Sequence, residues 1–206
     1  MNTNIRKLKI NTVIQIIVLL FIIFLDQISK YIITRIFPEP NPSEDIVVID
    51  GILEFTYIRN SGASFGIFQN RMFLFYVITI AVLIIVAFFW VSIYRNLSGY
   101  YRLCETSPSL YKKRTDNGMI FANYILAALA GGATGNFIDR IRLGYVVDFI
   151  DLLILKTPSF KGGFHWESFP IFNIADIFVT FSAVLLLIFI IFIYKEDENF
   201  SLFRKK

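Results

Sequence analysis

A chain of 206 residues that is 56% hydrophobic and only 17% charged has too few charges to coat a soluble globule and too much apolar content to stay disordered. One cysteine, Cys104, excludes a disulfide scaffold, and one histidine, His165, leaves no conventional zinc site. The net charge of +4 would point to nucleic acid in a soluble protein. In an integral membrane protein, the class that remains, the basic residues are topology signals, and no nucleic-acid partner is expected.

In chain order, the first apolar stretch runs charge-free from Ile10 to Leu25 and continues past Asp26. It follows Arg6, Lys7 and Lys9 as a signal peptide would, but no small-x-small cleavage site follows it. The sequence therefore predicts a retained span over about 10–36. Pro38, Pro40 and Pro42 then end the helix. Residues 46–49 and 53–58 read as strands, with Asp50-Gly51 as a hairpin signal and Leu53, Phe55 and Tyr57 alternating with Glu54 and Thr56. A small β-element over about 44–68 is expected on the outer membrane surface. Three further spans are expected over about 72–94, 118–138 and 174–194, each long enough for a hydrocarbon core of about 30 Å. Between the second and third, Ser98–Asn117 reads as a polar loop. The expected fold is one all-α membrane-embedded domain over 1–206, with four transmembrane helices and a small extracytoplasmic β-element.

Lys and Arg orient it. They cluster at the N-terminus, in the second-to-third connection (Arg95, Arg102, Lys112, Lys113, Arg114) and at the C-terminus (Lys195, Arg204, Lys205, Lys206). With four spans these segments share one side, which the positive-inside rule makes cytoplasmic. Connections 38–71 and 139–172 are then outside.

Polar groups near span ends are costly and therefore informative. Asp26 lies about 24 Å along its helix from Ile10, near the outer face, where an i,i+4 pair with Lys30 is its plain structural reading. Asn136 and Asp139 share a helix face at the outer end of span three, with Arg140 next to them. Just before them, Gly131 and Gly135 form a small-xxx-small pair that calls for close helix packing. Asn173 and Asp176 open span four, where an N-cap with an acid three residues on is an equally good account. Asp148, in Val146-Val147-Asp148-Phe149, is an acid among apolar residues that a surface loop has no need of. The segment Arg59-Asn60-Ser61-Gly62-Ala63-Ser64-Phe65 supplies a tight polar turn where backbone can approach a ligand. The charge rule, which did not use them, places all these acids on one membrane face. Two carboxylates close together in a partly dry site share one proton and can activate water, which is aspartic peptidase chemistry. Other schemes fare poorly. There is no HExxH, Ser109-x-x-Lys112 falls in the basic cytoplasmic loop, and His165 alone supports no Ser–His–Asp set. A transporter using intramembrane acids is the rival from another class, but four spans without an inverted repeat argue against it for a monomer.

Five motifs, Asp26-Gln27-x-Ser29-Lys30, Arg59 to Phe65, Gly135-Asn136-x-x-Asp139-Arg140, Val146-Val147-Asp148-Phe149 and Phe172-Asn173-x-Ala175-Asp176, together resemble the motif set of bacterial lipoprotein signal peptidases, or signal peptidase II. The match in order and spacing covers roughly residues 10–194. The resemblance implies an intramembrane aspartic endopeptidase of the bacterial cytoplasmic (inner) membrane, working at the outer face without metal or other cofactor. Its implied substrates are prolipoproteins whose cleavage-site cysteine carries diacylglycerol, met among membrane phospholipids and cut before that cysteine. Inhibition by the cyclic peptide globomycin is implied too. By motif match the dyad falls on Asp148 and Asp176. Asn60, Asn136, Arg140 and Asn173 match positions that line the substrate site, and Asp26 and Asp139 match supporting positions. Lys30 and Gly62 join the support by membership of the same motifs. The stretches Ser98–Asn117 and Asp151–Ser168 look longer than in the family.

Overall fold

Four helices carry the fold in the computed structural model, which describes residues 3–40, 45–62, 72–107, 109, 113–153 and 170–194. They are α1 (Thr3–Ile36), α2 (Met72–Thr106), α3 (Lys113–Leu143) and α4 (Ile174–Ile188), the last continuing as a π-helical turn over Phe189–Ile193. Each includes a stretch long and apolar enough to cross a membrane, and the chain is a multi-pass membrane protein. The side chains that would be misplaced in water, such as Phe24, Phe88 and Phe181, lie exposed on the outsides of the helices, where lipid is the solvent.

Three helices, α1, α2 and α3, run longer than their apolar stretches predict. The expected loop from Ser98 is instead the last turns of α2, because Leu97, Tyr100, Tyr101 and Cys104 are all buried. Their spacing is that of one helix face, and they pack with Leu8, Met119 and Ile120 in the main core. That packing also explains why α1 begins at Thr3 and not near Ile10. Charge marks where the bilayer ends, whereas the helices end where their packing partners do. Residues 110–112 of the expected loop, with most of Asp151–Ser168, residues 63–68 of the β-element, His165 and the C-terminal lysines, lie outside the described residues.

α3 is central, and its small residues make that possible. A Cβ added at Gly131 would sit 3.0 Å from Ile22 Cβ, and one at Gly135 would sit 2.5 Å from Asp26 Oδ2, so both glycines face α1. Gly132 faces the other way, where a Cβ would meet Ala175 O at 2.6 Å. α3 therefore lies in close backbone contact with α1 on one side and with the first turn of α4 on the other.

The sheet has three antiparallel strands in the order β1 (Ile46–Ile49), β2 (Leu53–Asn60), β3 (Val146–Leu152). The hairpin falls at the expected place. Ile52 N–H bonds Ile49 O at 3.0 Å, and Gly51 takes φ +67°, a conformation open to glycine at little cost. The pairing of β2 with β3 slips between Phe55 and Ile58. This bulge interrupts the expected alternation, so the adjacent Thr56 and Tyr57 are both buried. β3 was not legible as a strand because both its faces are covered. Val147 and Phe149 pack with Ile33, Phe37 and Tyr57 at the C-terminal end of α1, while Val146 and Asp148 are buried on the opposite face. Phe172 bridges to β3, exchanging backbone hydrogen bonds of 2.8 and 3.1 Å with Ile150 and accepting a third, at 3.0 Å, from Phe149 N–H. The residue after it, Asn173, thus arrives beside Asp148.

Candidate functional site

Among the described residues, Asp26, Lys30, Asn60, Asn136, Asp139, Asp148, Asn173 and Asp176 come together where the helices meet the sheet. Asn173 caps α4 as its identity predicts. Its Oδ1 accepts from Asp176 N–H at 3.0 Å, and its own N–H donates to Asp176 Oδ2 at 3.2 Å, a reciprocal capping box. The cap also has a second use. Asn173 Nδ2 donates to Asp148 Oδ1 at 2.6 Å and to Asn136 Oδ1 at 3.0 Å. Asn136, two turns before the end of α3, donates through Nδ2 to Asp176 Oδ1 at 2.7 Å. Two carboxamides therefore join the two carboxylates Asp148 and Asp176.

Asp148 receives a second amide bond, from β2. Ile58 is its pairing partner in the ladder, and Asn60, two residues on, is its diagonal neighbour on the same face. Asn60 Nδ2 donates to Asp148 Oδ2 at 2.8 Å. Gly62 N–H holds Asn60 Oδ1 at 3.0 Å, which keeps the amide nitrogen turned toward the carboxylate. Asp148 is 2% exposed. Burial raises its carboxyl to about 7, and the neighbouring Asp176 adds to the rise. The bonds from Asn60 and Asn173 and the charge of Lys30 oppose it.

Asp26 and Lys30 do form the i,i+4 pair, at 2.9 Å, yet it is no surface pair. Both are buried, and Lys30 also pairs with Asp139 Oδ2 at 2.9 Å. Gln27, not singled out from the sequence, completes this group. Its Nε2 donates to Asp139 Oδ1 at 2.9 Å and to Gly135 O and Asp26 Oδ2 at 3.2 Å. Its place beside Asp26 in the first motif was the available signal. Arg140 stands at the rim. Its guanidinium donates to Asn136 O at 3.3 Å, lies 4.9 Å from the Phe75 ring centroid, and sits in the field of Asp176, Asp148 and Asp139. Lys at this position keeps the charge but loses the planar stack and the fixed bond. Arg140→Lys should therefore stay folded and lose roughly tenfold in turnover; full turnover by the purified variant would show that charge alone suffices.

Among the described residues no group of three or more His, Cys, Asp or Glu could hold a metal ion. The arrangement offers instead two carboxylates held by neutral amide donors, a setting in which a single shared proton is stable and a water between them can be activated.

The family model described as Signal peptidase (SPase) II matches residues 18–192. The chain is 36% identical over 172 residues to the lipoprotein signal peptidase of Caldanaerobacter subterraneus subsp. tengcongensis, covering 83% of this chain and 91% of that one. It is 33% identical over 190 residues to that of Lactobacillus johnsonii, covering 92% and 99%. A bacterial membrane enzyme solved by the in meso method at 1.9 Å superposes with a TM-score of 0.62 at 32% identity, over 87% of this chain and 93% of that one. The stretch matched by the family model runs from α1 to the end of α4 and so contains the whole carboxylate and carboxamide cluster; the chain belongs to the signal peptidase II family of peptidases.

Proposed function

We propose that this protein is an aspartic endopeptidase that removes signal peptides from prolipoproteins, cutting before a cysteine that already carries diacylglycerol. The observation that carries the reading is the pair Asp148 and Asp176, joined through the Asn136 and Asn173 carboxamides. One member of the pair has a carboxyl raised to about 7, as expected of a dyad that holds one proton near neutral pH. Asp148 carries that proton, and Asp176 acts as the base. Water attacks the scissile carbonyl while Asp176 takes its proton and Asp148 protonates the carbonyl oxygen. The tetrahedral diol then collapses: the C–N bond breaks, the proton held by Asp176 passes to the departing cysteine nitrogen, and Asp148 takes back a proton from a diol hydroxyl, which restores the starting state. No cofactor is required.

The basic segments support a placement in the bacterial cytoplasmic membrane with both termini inside and the dyad at the outer face. There a lipidated cysteine rests among phospholipids, and the acyl chains hold the scissile bond at the depth of the dyad. A globomycin-like cyclic peptide would occupy the same layer. The test of substrate class is turnover of one precursor in detergent, with and without its diacylglyceryl group. Only the modified precursor should be cut, and globomycin should stop the cut; equal cleavage of both forms would remove the lipid from the reading.

The dyad also sets a pH dependence. The folded Asp148 value lies above the ordinary 3.8, so its proton is retained up to about 7 and lost above it. The rate should fall as pH rises through this value, and the contribution of this group to stability is lost over the same rise. The Asn60 bond favours the ionised form. Asn60→Ala should therefore move the falling limb of kcat to higher pH, and an unmoved limb or one moved to lower pH would contradict the assignment.

A further inference from the structure

The Lys30 ammonium donates hydrogen bonds to Asp26 Oδ2 and Asn136 Oδ1 and forms an ion pair with Asp139 Oδ2, each at 2.9 Å inside the protein. Lys30 is 3% exposed, and the two acids it bridges are as deeply buried. A lipid-stable fold has no need of such a group, because a buried ion cluster is a weak source of stability. What the two acids do with their remaining acceptor capacity is more specific. Asp26 Oδ1 accepts from Ala175 N–H at 3.0 Å, and Asp139 Oδ2 accepts from Val147 N–H at 3.2 Å. Ala175 precedes Asp176, and Val147 precedes Asp148. Each acid thus holds the backbone immediately before one member of the dyad, and Lys30 ties the two acids together.

The Lys30 bond to Asn136 acts on polarity. An ammonium only donates, so the Asn136 atom facing it is Oδ1. Asn136 Nδ2 is then turned to Asp176, at 2.7 Å, and Asn136 Oδ1 also receives Asn173 Nδ2, at 3.0 Å. That orientation leaves Asn173 Nδ2 pointing at Asp148 as well, at 2.6 Å. One fixed donor on α1 therefore sets the direction of both carboxamides between the carboxylates.

We propose that Lys30 is the positioning residue of the dyad: through Asp26 and Asp139 it fixes the separation of the two carboxylate-bearing segments, and through Asn136 it sets which atoms face the carboxylates. This rests on the reading of Asp148 and Asp176 as the catalytic pair. Lys30 touches neither carboxylate by hydrogen bond and takes no part in proton transfer. Its charge does act on Asp148, which is also faced by Asp176 and Asn173 from the start of α4, by Asn60 from β2 and by Arg140 from α3.

The experiment is steady-state cleavage of one diacylglyceryl-modified precursor in detergent by purified variants, with kcat, KM and the pH profile of kcat recorded. Lys30→Met keeps the length of the side chain and removes the donors. It also leaves two buried carboxylates without a counter-ion, so it is paired with the charge-neutral triple variant Asp26→Asn, Lys30→Met, Asp139→Asn. The triple variant keeps an oxygen acceptor for each backbone N–H. Misplacement of reacting groups by about 1 Å costs on the order of 100-fold in rate. A fall in kcat of that order with KM near the wild-type value is the expected result in whichever variant folds, and in Lys30→Met the falling pH limb should also move upward, because the Lys30 charge favours the ionised Asp148. A folded triple variant with wild-type kcat would overturn the proposal. So would a series in which activity is lost only where folding is lost, since the cluster would then be structural alone. Asp148→Asn in the wild-type background separates the two readings. If it still turns over, the dyad itself has failed. If it is inactive while the triple variant is fully active, only the role of Lys30 has failed.

Discussion

Asp148→Asn and Asp176→Asn should each abolish cleavage while the protein remains folded. Asn nearly preserves the size of the side chain and keeps one oxygen acceptor, but it cannot give and take a proton at neutral pH. At Asp148 the two amide bonds from Asn60 and Asn173 would be partly kept by the new carbonyl oxygen. At Asp176 the cap of α4 would survive in part, because Asn173 Oδ1 still accepts the residue 176 N–H. Thermal unfolding of both variants should therefore stay close to wild type, and Asp148→Asn should even gain stability above pH 7, where the wild-type protein has to bury an ionised carboxylate. Turnover should fall by a factor of about 10³ or more, and the double variant should be no worse than either single one, since the two groups act as a unit. Additive losses in the double variant would mean that the two carboxylates act independently.

The second large effect is expected in the scaffold. Gly132→Ala would place a methyl group 2.6 Å from Ala175 O and 3.0 Å from Val179 Cγ2. The first of these is backbone, so α4 has to move as a body. Such overpacking costs about 1–3 kcal/mol, and here the element displaced carries Asn173 and Asp176. Activity should be lost out of proportion to stability. Two glycines calibrate the result. At Gly131 the nearest atom is Ile22 Cβ at 3.0 Å, on α1, and alanine there should mainly lower the unfolding temperature. At Gly99 nothing lies within 4 Å, so Gly99→Ala should stabilise α2 by about 0.5–1 kcal/mol. Unfolding temperature and kcat measured on the three variants check the order, and an active, stable Gly132→Ala would show that α4 does not lie against α3 as described.

The four spans were legible because a charge-free apolar stretch has one main use in a chain of this composition. The hairpin at Asp50-Gly51 was legible because the turn demands a residue tolerant of positive φ. The convergence of distant acids was legible from charge counting alone, since the Lys and Arg clusters put Asp26, Asp139, Asp148 and Asp176 in one layer. What the sequence hid has physical causes. β3 lacks alternation because α1 covers one of its faces and the polar site the other. The capping role of Asn173 was readable, but its second role, linking Asp148 to Asn136, depends on Phe172 pairing with Ile150. Gly132 differs from Gly131 only by one position around the helix, which decides whether it faces α4 or α1. Gln27 was readable only as a neighbour of Asp26, because its three acceptors come from two helices that meet late in the chain order.

The most direct measurement is mass spectrometry of the products formed from one diacylglyceryl-modified precursor, with purified wild-type protein and folded Asp148→Asn side by side, each with and without a metal chelator. The account predicts a single cut immediately before the modified cysteine by the wild type, unchanged by the chelator, and no cut by the variant. Cleavage by Asp148→Asn at the wild-type rate, a cut at another bond, or loss of the wild-type cut on chelation would contradict it.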